Sequence, residues 1–118
     1  MQHTQSLCEN KLFRALYARG KTAAAPCMAV YARKNRLKTM SRMGITCSVK
    51  LGGAAQRNRM RRRLREAYRI HEDRITAGWD LVVVARVRSA YASYAELERE
   101  LLRSLDKLGV YRKGERRT

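Results

Sequence analysis

The sequence predicts an α+β sandwich, one domain in which helices pack on a central sheet. Three observations carry that reading. Apolar residues recur at three- and four-residue spacing in three separate segments. Between those segments lie short alternating or continuous runs rich in apolar and β-branched residues, the mark of strands. The two patterns interleave as α, β, β, α, β, α within 118 residues, a length that favours a single core.

Each element has its own signal. In "NKLFRALYARG", Asn10 is placed to cap a helix that Gly20 ends. Leu12, Phe13, Leu16 and Tyr17 fall at helical spacing there, and Phe13 and Tyr17 share a face. A short extra strand fits near Thr22–Ala25. The run Cys27–Ala32 reads as a strand, with Cys27, Ala29 and Tyr31 on one side and Met28, Val30 and Ala32 on the other. After the basic connector "RKNRLKTMSR", Met43–Val49 reads as a second strand with Ile45, Cys47 and Val49 alternating. Gly52 and Gly53 break that pattern. Met60, Leu64, Ala67, Tyr68, His71 and Ile75 then form the thin apolar seam of a helix whose remaining surface is basic. "LVVVA", Leu81–Ala85, has the continuous apolar character of a strand buried on both faces. Met43–Val49, the basic helix and this strand make a β-α-β unit. "RVRSAYAS" reads as a loop. Ser93 and Glu96 form a capping box, Leu97, Leu101, Leu105 and Leu108 stripe the last helix, and Gly109 closes it.

Charge points to the partner. The chain carries +17 overall, concentrated in residues 1–65, where sixteen Lys and Arg face one acid, Glu9. From residue 66 onward eleven basic residues face nine acids, an ordinary surface. The densest stretch is "RNRMRRRLR", six arginines in nine residues: Arg57, Arg59, Arg61, Arg62, Arg63 and Arg65. A mixed-charge helix offsets such repulsion with acids one turn away; this one has none before Glu66. A polyanion is therefore the expected counterpart, and arginine suits phosphate forks and base stacking. The seam lacks the Trp or Phe of a membrane-inserting helix. RNA is favoured over a DNA operator because the helix is embedded between strands instead of following a second helix.

An enzyme active site is not visible. No paired carboxylates, Ser-His-Asp set or P-loop occurs, and "LGGAAQRNR" matches neither G-x-G-x-x-G nor Walker A. His3 and His71 lack ligand spacing. Cys8, Cys27 and Cys47 are read as reduced, buried thiols of a cytoplasmic protein. No apolar run reaches membrane length and no signal-type segment opens the sequence. Phe13, Tyr17, Tyr31 and Tyr111 are either core or a stacking platform for a single strand, with Lys11, Arg14 and Arg33 supplying charge.

The ordered set "FRALYARGK", "MGITCSVKLGGAAQ", "RNRMRRRLREAYR" and "DLVVVAR" resembles the protein subunit of bacterial ribonuclease P, over about Leu7 to Tyr111. The resemblance implies an α-β-β-β-α-β-α sandwich whose central mixed sheet contains a left-handed β-α-β crossover around the basic helix, against the usual hand. It implies one RNA-binding domain over residues 1–118, with 1–8 and 112–118 mobile. It implies an accessory subunit of the endoribonuclease that removes the 5′ leader of precursor tRNA, with chemistry carried by a catalytic RNA and its Mg2+, and no obligate protein partner. Lys50, Arg57, Asn58, Arg59, Arg61, Arg62 and Arg65 match RNA-subunit contacts, and Phe13, Tyr17, Tyr31 and Tyr111 match the leader cleft. Arg63 stands where the family usually has an apolar residue. A basic ribosomal or RNA-chaperone protein is the alternative; it explains size and charge but not the ordered motifs.

Overall fold

The structure is a computed structural model that describes residues 1–111. The proposed mobile tail, 112–118, lies outside the described residues. Eight main elements follow in order: β1 (Thr4–Ser6), α1 (Asn10–Arg19), β2 (Lys21–Ala24), β3 (Met28–Lys34), β4 (Ser41–Cys47), α2 (Ala54–Arg69), β5 (Trp79–Ala85) and α3 (Tyr94–Lys107). The sheet order is β1-β4-β5-β3-β2. β5 lies at its centre, parallel to β4 and antiparallel to β3. The two strands flanking α2 are thus parallel neighbours joined by the basic helix. The α-β-β-β-α-β-α order is present, with β1 added ahead of it.

Strand alternation divides the sheet into two faces. Met28, Val30 and Ala32 of β3, Met43 of β4, and Leu81, Val83 and Ala85 of β5 face α2 and α3. Met60, Leu64, Ala67 and Tyr68 of α2 close over them with Leu97, Leu101 and Leu105 of α3. Among the described elements, α1 is the one helix on the opposite face, helped by Leu7 of the segment before it. There Leu16 and Leu7 pack on Val82, with Phe13, Tyr31 and Val84 partly buried around them.

Several local expectations are corrected. Glu9, not Asn10, caps α1: the Glu9 carbonyl accepts the N–H groups of Leu12 at 3.1 Å and Phe13 at 3.3 Å, and no side chain caps the end. Gly20 stops α1 through space, not through a left-handed backbone, since its φ is −75° and a Cβ there would lie 2.6 Å from the Leu16 carbonyl oxygen. β4 ends at Cys47, so Val49 lies outside it, on the 3-10 turn Val49–Leu51, 75% exposed. The seam of α2 outlasts the helix: His71 and Ile75 lie beyond Arg69, around the 3-10 turn Glu72–Arg74, yet Ile75 still reaches the core. Cys8 is exposed; only Cys27 of the three free thiols is fully buried.

Within residues 1–8, the segment expected to be mobile, the backbone of residues 2–7 is hydrogen-bonded to the rest of the fold. β1 pairs in parallel with β4, and the Ser41 N–H donates to the His3 carbonyl at 2.8 Å. The buried Glu72 carboxylate accepts the N–H groups of Gln2 at 2.9 Å and His3 at 3.1 Å. Thr4 Oγ1 and the Tyr68 hydroxyl lie 3.1 Å apart. Burial pushes the Tyr68 phenol up to about 12 despite that hydrogen bond. Sequence periodicity missed β1 because a three-residue strand held by long-range partners has no period to read.

The helix ends of α2 and α3 are built from local chemistry. At α2 the Gly53 N–H donates to Gln56 Oε1 at 2.8 Å. Gly52 precedes it at φ 144°, where a Cβ would collide with that same side chain. At α3 the expected capping box is present: the Glu96 N–H donates to Ser93 Oγ at 3.1 Å and the Ser93 N–H to Glu96 Oε1 at 2.9 Å.

Candidate nucleic-acid interface

The first surface is the outer side of α2. With Met60, Leu64, Ala67 and Tyr68 held in the core, the helix must turn Asn58, Arg59, Arg62 and Arg65 outward, and all four are exposed. Arg57 and Arg61 are half-buried at the flanks. Arg57 Nη1 donates to the Gly52 carbonyl at 2.8 Å, so this arginine also braces the loop that enters the helix. Arg61 Nη1 donates to Asn58 Oδ1 at 3.0 Å. No salt bridge joins Arg59, Arg61 or Arg62 to a described carboxylate. Among the described residues, Arg69 is the one arginine of this helix with an ion-pair partner, Glu66, whose oxygen lies 2.6 Å away. Its hydrogen bond from Arg69 holds Glu66 below the ordinary carboxylate value. Lys50 is exposed on the turn between β4 and α2, its N–H bound to Ser48 Oγ at 3.1 Å.

Cys47 shows how tightly this corner is built. Its Sγ approaches the Arg57 carbonyl at 3.8 Å. Burial pushes its thiol up, against the pull of Arg61 and Arg57, which keeps the sulfur protonated.

The second surface is a cleft between α1 and the opposite face of the sheet. Tyr17 and Tyr31 meet edge to face with ring centroids 4.9 Å apart, and Tyr17 is 46% exposed. Phe13 lies over Gly44 of β4, where an added Cβ would sit 2.8 Å from the ring. Beyond the rings the sheet carries a row of short side chains in register, Ala29 beside Val84 and Val84 beside Thr46, all half-buried. Lys11, Arg14 and Arg33 are exposed near the same face. Asp80 is neutralised in place: Arg42 donates to its two oxygens at 2.8 and 2.9 Å, and Asn35 Nδ2 donates at 3.0 Å.

Of the four aromatics expected in this cleft, the structure brings together three. Tyr111 is on the other side of the sheet. It is 9% exposed, bridges Ile75 in antiparallel fashion, and meets His71 edge to face at 6.2 Å. The chain leaving α3 turns at Gly109, with φ 79°, and Val110 N–H returns to the Leu105 carbonyl at 2.9 Å. That turn carries Tyr111 into the core beside α2 and α3, a placement no local pattern reveals. Gly44 is the converse, a site residue the sequence reading passed over. A glycine inside an apolar strand is the available signal, since it marks close approach of another group.

Among the described residues no group of three His, Cys, Asp or Glu side chains is placed to hold a metal ion. No described helix is long and apolar enough to cross a membrane.

A basic helix docked by a thin seam, and an aromatic cleft on the reverse of the same sheet, define a small α+β nucleic-acid-binding protein. Comparison with known proteins makes this specific. A family model for ribonuclease P matches residues 1–109. The ribonuclease P protein component of Desulfosudis oleivorans is 44% identical over 89 residues, 75% of this chain and 73% of that one. That of Clostridium botulinum is 38% identical over 104 residues, covering 87% and 93% of the two chains. Among solved structures, the Staphylococcus aureus ribonuclease P protein superposes with a TM-score of 0.83 at 29% identity, covering 91% of this chain and 97% of that one. The Thermotoga maritima protein does so at 0.76 and 28% identity, covering 88% and 94%. The chain belongs to the ribonuclease P protein family, and its role is that of accessory subunit in the tRNA-processing ribonuclease.

Proposed function

We propose that the two surfaces bind two different RNAs. The α2 surface, with Lys50, Arg57, Asn58, Arg59, Arg61, Arg62 and Arg65, takes the catalytic RNA subunit. The α1 cleft, with Phe13, Tyr17 and Tyr31, takes the single-stranded 5′ leader of precursor tRNA. Tyr111, buried across the sheet, has no part in that cleft. The observation that carries this reading is the placement of the arginines and the three rings on opposite faces of one sheet. One molecule is thereby able to touch both RNAs at once.

The physical gain has two parts. Enzyme RNA and substrate RNA repel through their phosphates, and a strongly basic half-domain between them lowers that repulsion. The requirement for Mg2+ in assembly and cleavage falls accordingly. Mg2+ itself belongs to the RNA subunit and substrate, where it supplies the charge stabilisation for phosphodiester hydrolysis; the acid nearest in kind to a ligand on the cleft face, Asp80, is already held by Arg42 and Asn35. Stacking of leader bases on the rings adds about 1–3 kcal/mol each and is sequence-tolerant. It favours precursor over mature tRNA, which has no leader to stack. The cytoplasm, where tRNA precursors are made in bacteria, is the proposed compartment.

The test separates the two surfaces. Phe13→Ala is expected to weaken holoenzyme binding of precursor tRNA roughly 5- to 150-fold, with mature tRNA affinity unchanged. Equal losses for both tRNAs would remove the leader from the cleft. Arg62→Ala, exposed and unlinked to the fold, is expected to weaken binding of the RNA subunit and lower the salt slope by about one. Wild-type affinity and slope in that variant would remove the RNA subunit from α2.

A further inference from the structure

Beside the α2 surface, and sharing only Arg59 with it, lies a groove. Its walls are the first turns of α2 and the 3-10 turn Val87–Tyr91 that leads into α3, and its volume is about 490 Å³. Leu51 and Met60 give it an apolar lining, Arg59 and Arg63 bring two cations, and Tyr91 stands 86% exposed at its edge.

Tyr91 ends the 3-10 turn Val87–Tyr91, with its ring exposed. Within that turn Ser89 is buried; its Oγ donates to the Arg86 carbonyl at 2.7 Å and its own carbonyl accepts the Ala92 N–H at 3.1 Å. A large aromatic exposed to water on a hydrogen-bonded turn is apolar surface open to a partner. Arg63 supplies the second observation. Its Nη2 crosses the groove to the Ala92 carbonyl at 3.3 Å. That bond uses one of five guanidinium N–H donors and pins a half-buried cation next to the residue that follows the ring. Glu96, the acid of the first turn of α3, is already engaged with Ser93. The turn carrying exposed Val49 and Lys50 packs directly on the Tyr91 turn, so the groove is continuous with the basic α2 surface.

We propose that this groove seats an unpaired nucleotide of the RNA subunit, its base stacked on Tyr91 and its phosphates against Arg59 and Arg63. This rests on the assignment of α2 to the RNA subunit and gives that surface a base-stacking contact as well as charge. A nucleotide satisfies the ring and the cations together; an acidic peptide would meet the cations and leave the ring unpartnered.

The experiment measures binding of a transcribed bacterial ribonuclease P RNA to the full chain across a range of salt. Tyr91→Ala, at a fully exposed position, is expected to weaken binding roughly 5- to 150-fold with unchanged salt slope. Tyr91→Phe is expected to bind as wild type, and Arg59→Ala to lower the slope by about one. Arg62→Ala serves as the control for the α2 surface. Wild-type binding by Tyr91→Ala while Arg62→Ala weakens overturns the groove and leaves the α2 assignment standing; wild-type binding by both overturns the two together. A loss in Tyr91→Phe equal to that in Tyr91→Ala replaces stacking with a hydroxyl contact and also overturns the proposal. A Tyr91→Ala defect seen only in precursor tRNA binding by preassembled holoenzyme assigns the groove to substrate and overturns the stated occupant.

Discussion

The two faces of the sheet are made from alternate residues of the same strands, yet they are finished differently. One is closed by two helices whose Leu, Met and Tyr side chains leave almost nothing exposed. The other is covered by the ten residues of α1, which bury Leu16 and leave a strip of short side chains beside three aromatic rings. The closed face holds the fold together, and its outermost helix turns its basic side to solvent. The open face does without a second helix, and the surface left over is the cleft. The parity of a residue along a strand thus decides whether it joins the closed core or the open cleft.

This contrast predicts which measurement each substitution moves. The largest effect is expected on the closed face. Leu101→Ala removes a fully buried side chain between α3 and the sheet and is expected to cost about 3–5 kcal/mol in urea unfolding. Leader affinity of the remaining folded protein should stay at its wild-type value. A loss of leader affinity in folded Leu101→Ala would break the division between the faces.

A smaller effect, on affinity this time, is expected from Gly44→Ala. Its backbone conformation is open to any residue, but the new Cβ would meet the Phe13 ring at 2.8 Å. The ring must shift, and precursor affinity should fall by about 1 kcal/mol, within the range for one stacked base. RNA-subunit affinity is expected to be unaltered. An unchanged affinity for precursor would show that leader binding does not depend on where Phe13 sits.

The smallest effect concerns the leading segment. Burial pushes the Glu72 carboxyl up, but hydrogen bonds from Thr4 and from the N–H groups of Gln2 and His3 outweigh it, and the carboxyl ends below its ordinary 4.5. A depressed folded value means the ionised form stabilises the fold above the unfolded value, and this contribution is lost as pH falls through the folded one. Acidification below 4.5 should therefore release β1 before the core, read as faster amide exchange at residues 3–6. In Glu72→Gln that pH step should vanish. Equal exchange in β1 and β5 throughout the acid range would sink it.

Much of this was readable from the sequence because the signals are local. The seam Met60–Leu64–Tyr68 set the register of α2 and so which arginines face out. The capping box of Ser93 set the start of α3, and the unbroken "LVVVA" set the central strand. The misses share a different cause. β1 exists because Glu72, Tyr68 and β4 reach it from more than thirty residues away, and spacing along the chain carries no trace of that. Tyr111 matched a cleft by position in the chain, but a left-handed glycine sends it to the opposite face. Arg63 stands where the family usually has an apolar residue; half-buried, it sends its guanidinium to the Ala92 carbonyl.

β4 lies at the meeting of all this. Ile45 and Cys47 point under α2, while Gly44 and Thr46, one residue away, floor the cleft. A single residue inserted within this strand would exchange the two sets from that point on, placing a glycine under the helix and an isoleucine under Phe13. The strand therefore admits changes of side chain but not of length, and length variation among related chains should gather in the loops at either end of it.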